Sequence, residues 1–249
     1  MSGRVLVTGA GRRVGAGIAR RLARDGWALA LHCNATRTGA DQLAAEIRSA
    51  GGAAEVVQAD LTDQGAIDAM ATALAARGDW VGLVNSAASF VRDDISDIAF
   101  AQATAQIQLN LIAPVYLART LAAALAPGAS GFVVNIADQK VLNPNPDYLS
   151  YTLAKTGLAH ATGALAMALA PRVRVNCVAP GLMLPSGDQT KDQFERVHAA
   201  TTLTQRGTRV EDLADAVAFL ARADNITGAL LPVDGGQHLV PSTRDVMFT

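Results

Sequence analysis

Seven short, nearly uninterrupted apolar runs recur along the chain, separated by longer alanine-rich stretches with helical periodicity. The runs occupy residues 4–8, 28–32, 54–59, 80–85, 131–136, 173–178 and 229–233. A strand that is apolar at nearly every position must be covered on both faces, which is the condition of a parallel sheet clad in helices. The helical stretches are roughly 13–25, 38–50, 64–77, 98–126, 149–170 and 210–222, and Gly26, Gly51, Gly78, Pro127 and Pro171 mark ends among them. Such alternation builds right-handed βαβ units. The expected fold is α/β: one doubly wound, seven-stranded parallel sheet with helices on both faces, formed as a single domain over residues 1–249.

Composition narrows the functions open to such a fold. Half of the 249 residues are hydrophobic, enough for a sizeable core. With 17% charged residues and a net charge of −1, there is no electrostatic case for nucleic acid or for an anionic membrane. Cys33 and Cys177 stand alone in apolar stretches, as reduced cysteines of a cytoplasmic protein do. His32, His160, His198 and His238 lack metal-ligand spacing, so no metal is expected. The N-terminal residues lead straight into a strand, so no signal peptide is expected. The most apolar helical stretch, 158–170, is shorter than the ~20 residues that a bilayer span needs. One stretch breaks the rhythm: 182–207 is polar and sits between the sixth and seventh strands, as a substrate loop would. Met183, Leu184, Phe194 and His198 are its candidate lining residues.

The first strand runs into Thr8-Gly9-Ala10-Gly11-Arg12-Arg13-Val14-Gly15-Ala16-Gly17. Glycines let the backbone turn tightly and approach a pyrophosphate, and the N-terminus of the following helix favours its negative charge. In a doubly wound sheet this first turn is where dinucleotides bind. An NAD site usually places Asp or Glu at the end of the second strand, on the ribose 2′-hydroxyl. Here the segment reads Leu31-His32-Cys33-Asn34-Ala35-Thr36-Arg37, with no acid before Asp41. Arg12, Arg13 and Arg37 are available for a 2′-phosphate, which guanidinium groups suit, so NADPH is expected over NADH. Solvated surface arginines are the alternative for any one of them.

Further motifs follow in order: Asp60-Leu61, Asn85-Ser86-Ala87, Asn110, Tyr151-Thr152-Leu153-Ala154-Lys155 and Pro180-Gly181. With the glycine turn they resemble the short-chain dehydrogenase/reductase family, whose domain is a Rossmann fold, and the resemblance covers essentially the whole chain. It implies that Gly9, Arg12, Arg13, Val14, Gly15, Asn34, Asp60, Leu61, Asn85, Ser86, Ala87, Pro180 and Gly181 meet the cofactor, NADP(H). Tyr151 and Lys155 would bind it too, and would act catalytically with Asn110, which would kink its helix and hold a water linking Lys155 to solvent. Two positions depart from the family pattern. Arg13 replaces the middle glycine of the turn, and Asp138 stands thirteen residues before Tyr151, where the family has a catalytic serine. Both resemble the branch of pteridine reductases and dihydromonapterin or dihydrofolate reductases. Leu31-His32, Ser89-Phe90 and the terminal segment from Asp234 to Leu239 match the same branch, whereas its serine before Ser89 is Ala88. The branch implies a small pterin-like substrate and a cytoplasmic homotetramer.

The chemistry can be argued from the residues themselves. Tyr151 and Lys155 are four apart, so both project from one helix face. A nearby ammonium is expected to lower the phenol pKa and let Tyr151 act as general acid near neutral pH. Asp138 is the discriminating residue. An ionised carboxylate only accepts hydrogen bonds, which suits a substrate presenting N–H donors; if burial raises its pKa, it can instead donate a proton to a ring nitrogen. Capping the loop at 139–145 is its structural alternative. Phe90 is placed to stack on a flat ring or to pack in the core, and Arg13 to reach both pyrophosphate and substrate. The substrate-binding set is thus Arg13, Ser89, Phe90, Asp138 and Tyr151. The expected activity is hydride transfer to a C=N bond of a dihydropterin. A carbonyl reductase of the same family and a non-catalytic NADP-binding sensor are the alternatives. Helices at 109–126 and 158–170 are candidate interface faces or, equally, buried core, and the segment 240–249 is either a disordered end or a cover for a neighbouring site.

Overall fold

A computed structural model of the chain describes residues 3–185 and 190–248. Seven strands, β1 (Arg4–Val7), β2 (Ala28–Cys33), β3 (Ala54–Gln58), β4 (Trp80–Asn85), β5 (Gly131–Ile136), β6 (Val173–Pro180) and β7 (Leu230–Val233), form one parallel sheet. Its order is β3-β2-β1-β4-β5-β6-β7, as expected of a doubly wound sheet. Successive strand residues point to opposite faces, and the two faces close two separate cores. Val5, Val7, Leu29, Leu31, Phe132 and Val134 pack with helices α1 (Arg13–Arg24), α2 (Thr38–Ser49) and α8 (Val210–Arg222). Leu6, Ala30, Leu83, Val133 and Val175 pack with α3 (Gln64–Ala75), α5 (Ala113–Ala124) and α6 (Leu149–Leu169).

The helix expected at 98–126 is interrupted. It consists of α4 (Phe100–Ile107), a π turn at Gln108–Ile112 and then α5. The π turn carries the fully buried Asn110, so the expected kink at Asn110 takes this form. Phe100–Ala124 is long and apolar enough to cross a membrane, unlike 158–170. In this fold, however, Ala113, Leu117, Ala118 and Leu121 of α5 are core residues against the sheet.

The stretch 182–207 is not a plain loop, because α7 (Lys191–Ala200) lies within it. Residues 186–189 of the expected lid, and Thr249 of the tail, lie outside the described residues. Met183 and Leu184 line the cleft described below. Phe194 and His198 do not; their rings stack on each other at 4.5 Å.

Candidate active site

Strand order reverses between β1 and β4, and a crevice opens there outside the carboxyl ends of the strands. The cleft measures about 1180 Å³. The glycine turn and residues 32–36 line one end, and Asp138, Gln139, Lys140 and Tyr151 line the other. Gly181–Leu184 and parts of the segment 240–246 flank it.

At the nucleotide end the backbone is held by side chains. Thr8 accepts from the amides of Ser86 and Ala87, both at 2.9 Å, which ties β1 to β4 at the switch point. His32 accepts from the Gly9 amide through Nδ1 at 3.1 Å, so the neutral ring carries its proton on Nε2 and donates to Ala59 O at 3.0 Å. Burial lowers the His32 pKa, which keeps the ring in this form. Gly9 adopts a left-handed conformation, with φ at 66°. A Cβ on Gly15 would lie 2.3 Å from the Gly9 carbonyl oxygen, so only glycine permits this approach. The N-terminus of α1 has no side-chain cap, and its first-turn N–H groups, at Arg13, Val14 and Gly15, lie in the wall of the cleft.

The arginines divide. Arg12 and Arg13 line the cleft, whereas Arg37 pairs with Asp41 outside it. Arg13, standing where the family has glycine, occupies the left-handed region at φ 50° and donates to Pro185 O at 2.9 Å. Asn34, Leu61, Ser86, Ala87 and Gly181 also line the cleft. Asp60 is turned to Thr62, and Pro180 ends β6 behind the lining.

At the chemical end, Tyr151 donates to Asp138 Oδ2 at 3.1 Å, and the Lys140 amide donates to Asp138 Oδ1 at 2.9 Å. Asp138 therefore caps the short turn Gln139–Val141, the structural role open to it, and also accepts from the Tyr151 hydroxyl, a contact that the sequence did not suggest. Burial raises its pKa. The expected lowering of the Tyr151 pKa is reversed. Burial first, and then the Asp138 carboxylate, push the phenol well above its ordinary value. Lys155 does not offset this, because its ammonium donates to Ile136 O at 2.6 Å and lies 5.8 Å from the Tyr151 ring centre. Burial also brings Lys155 down to about 8. The pair is thus a firmly protonated phenol beside an ammonium that titrates just above neutrality. Above about pH 8, Lys155 loses the charge that faces Asp138, so kcat/KM for reduction is expected to hold to that pH and decline beyond it. A pH–rate profile checks this; a flat profile through that region would exclude a role for the ammonium.

Several expected site residues act behind the wall. Asn110 is fully buried; its side chain donates to Ser89 O at 2.9 Å and accepts from Ser89 N at 3.1 Å. It therefore clamps the segment after β4. Asn85 donates to Pro114 O and to Asn135 Oδ1 within the sheet. Phe90 lines the cleft with 39% of its surface exposed, stacks on Tyr148 at 4.0 Å and meets Tyr151 edge-on at 4.7 Å. It is neither a core residue nor unsupported. Sequence reasoning missed Gln139, Lys140, Asn143, Gln237 and Asp245, which also line the cleft. The Gln139 side chain is nine-tenths buried, and its amide oxygen has no partner among the described residues. The terminal segment folds over the cleft of its own chain.

A parallel sheet with a glycine turn at its switch point and a tyrosine–lysine pair at the adjoining strand ends defines a dinucleotide-dependent oxidoreductase. The family described as enoyl-(acyl carrier protein) reductase matches residues 9–238. The chain belongs to the short-chain dehydrogenase/reductase family. It is similar to the FolM alternative dihydrofolate reductase 1 of Brucella suis, solved in complex with NADP. The two are 38% identical with a TM-score of 0.90, over 98% of this chain and 99% of that one. It is also 31% identical to pteridine reductase 1 of Leishmania tarentolae, over 94% of this chain and 96% of the relative. A 3beta-hydroxysteroid dehydrogenase 1 of Eggerthella lenta is 32% identical over 95% and 94%. The nucleotide end fits a dinucleotide: the uncapped α1 N-terminus and the Gly9–Gly15 turn would hold the pyrophosphate. The acid-free end of β2, with Arg12 and Arg13 in the wall, would accept a 2′-phosphate.

Proposed function

We propose that the chain is an NADPH-dependent reductase of dihydropterins, of the dihydromonapterin, dihydrobiopterin or dihydrofolate type, acting on a ring C=N bond. The observation that carries this reading is Asp138. A half-buried carboxylate, hydrogen-bonded to Tyr151, stands where a carbonyl reductase of the family has a hydroxyl. The two similar proteins named for pterin or folate reduction support it.

The cofactor is NADP(H), which supplies the hydride when bound. Phe90, braced by Tyr148, offers a flat surface for the pterin ring. Asp138 accepts from the 2-amino and ring N–H groups, and the Gln139 amide oxygen, without a partner among the described residues, adds a second acceptor beside it. Tyr151 keeps its proton at neutral pH and delivers it, directly or through an ordered water, toward the nitrogen next to the reduced carbon. Lys155 lies behind the cleft lining with its ammonium on Ile136 O; it would turn to the nicotinamide ribose hydroxyls when the cofactor binds, and its charge balances Asp138. A cytoplasmic homotetramer belongs to the same proposal. Exposed Phe100, Ile112, Leu153 and Met167 on α4, the π turn and α6 are its candidate contact residues.

The test is NADPH oxidation with dihydromonapterin, dihydrobiopterin and dihydrofolate in parallel, repeated with NADH and with a panel of ketones. Turnover of a dihydropterin with NADPH preferred is the expected result. Ketone turnover alone would make the chain a carbonyl reductase, and NADPH binding without any turnover would make it a sensor.

A further inference from the structure

The segment 240–248 is anchored at both ends by side chains far away in sequence. Asn143 donates to Val240 O at 2.8 Å. Arg244 clasps both oxygens of Asp147, at 2.8 to 3.2 Å, and the Asp245 amide donates to the same carboxylate at 2.7 Å. The Asp245 carboxylate meets the Lys140 ammonium at 2.7 Å, with both side chains at least nine-tenths buried. Lys140 also donates to Asp147 O at 3.1 Å, and Phe248 continues the stack of Phe90 and Tyr148. Val240, Ser242 and Asp245 line the cleft.

Lys140 is the link that gives this arrangement a consequence. Its backbone amide holds Asp138 Oδ1, and its ammonium holds the terminal segment. Lifting the segment would leave a buried ammonium without its counter-ion two residues from Asp138. Removing one partner of a buried ion pair is far more disruptive than losing an exposed one. We propose that residues 240–248 form the outer wall of the substrate end, and that Lys140 is a positioning residue that ties this wall to Asp138. The wall closes the cleft beside Asp138, so it bounds the ring edge that Asp138 holds. In its kinetic part this inference rests on the dihydropterin reading; the wall itself does not.

Asp245→Asn and Arg244→Gln test it, with removal of residues 241–249 as a third variant. Acrylamide quenching of bound NADPH fluorescence reads access to the cleft without any substrate. KM and kcat are measured with the dihydropterin that the parent turns over, alongside melting temperature and the Kd for NADPH. The expected result is stronger quenching and a KM raised about tenfold, with kcat within about twofold and the NADPH Kd unchanged. A lower melting temperature with parental quenching and parental KM would overturn the proposal and leave the segment as a stabilising strap. If the parent reduces no dihydropterin but the variants show stronger quenching, the wall stands and the substrate assignment falls.

Discussion

Tyr151→Phe is expected to lower kcat/KM for dihydropterin reduction by about 10²- to 10⁴-fold, the range typical of losing a general acid. The hydroxyl is the only part removed. Phe90 keeps its edge contact with the ring, and Lys155 keeps its bond to Ile136 O, so the fold and NADPH affinity should persist. The variant also unpairs one oxygen of Asp138, which now accepts from Tyr151. A half-buried carboxylate that loses a donor binds its proton more tightly. The small residual activity should therefore fall off at a different pH from that of the parent. Stopped-flow NADPH oxidation with a fluorescence titration of NADPH checks both parts. Near-parental kcat/KM would remove Tyr151 from the chemistry.

Asp138→Ala should be the next most damaging change, and a selective one. A hydrogen bond to a charged group contributes about 1.5–3 kcal/mol, which corresponds to roughly 10- to 150-fold in dihydropterin kcat/KM. Because Asp138 also caps the turn Gln139–Val141, the alanine variant should lose stability as well, by about 1 kcal/mol. Asp138→Asn separates the two effects. Its amide oxygen can still cap the Lys140 amide, so the melting temperature should recover while dihydropterin turnover does not. Asp138→Ser restores a hydroxyl donor and should move the preference toward ketones. If Asp138→Asn kept full dihydropterin turnover, a charge-based role for this residue would be untenable.

The sheet was legible because a parallel strand advertises its burial on both faces. Val5, Leu6 and Val7 are apolar in succession, and each lies in one of the two cores. The glycine turn and the Tyr151–Lys155 pair were legible because their spacing is local. What sequence could not show was how distant groups compete. Helical spacing places Lys155 beside Tyr151, but not the Ile136 carbonyl that draws its ammonium away, nor the Asp138 carboxylate that opposes phenolate formation. The irregularity at Asn110 came from the family resemblance alone, because Leu109, Leu111 and Ile112 carry the apolar helical pattern through the π turn. Helix α7 was hidden because its exposed residues read as loop. The clasp of Arg244 on Asp147 joins residues 97 apart in polar segments, where no periodicity signals a contact.

Arg13 remains the one residue of the nucleotide turn whose conformation is unfavourable for its type. An L-residue in the left-handed region costs about 1–2 kcal/mol, which glycine would not incur. A laboratory selection for heat resistance would therefore drift toward glycine at this position. It would discard a guanidinium that bridges the turn to the Pro185 carbonyl and lines the cleft. Thermostability screens on this scaffold should hold position 13 fixed, since at that site ruggedness and catalytic competence pull in opposite directions.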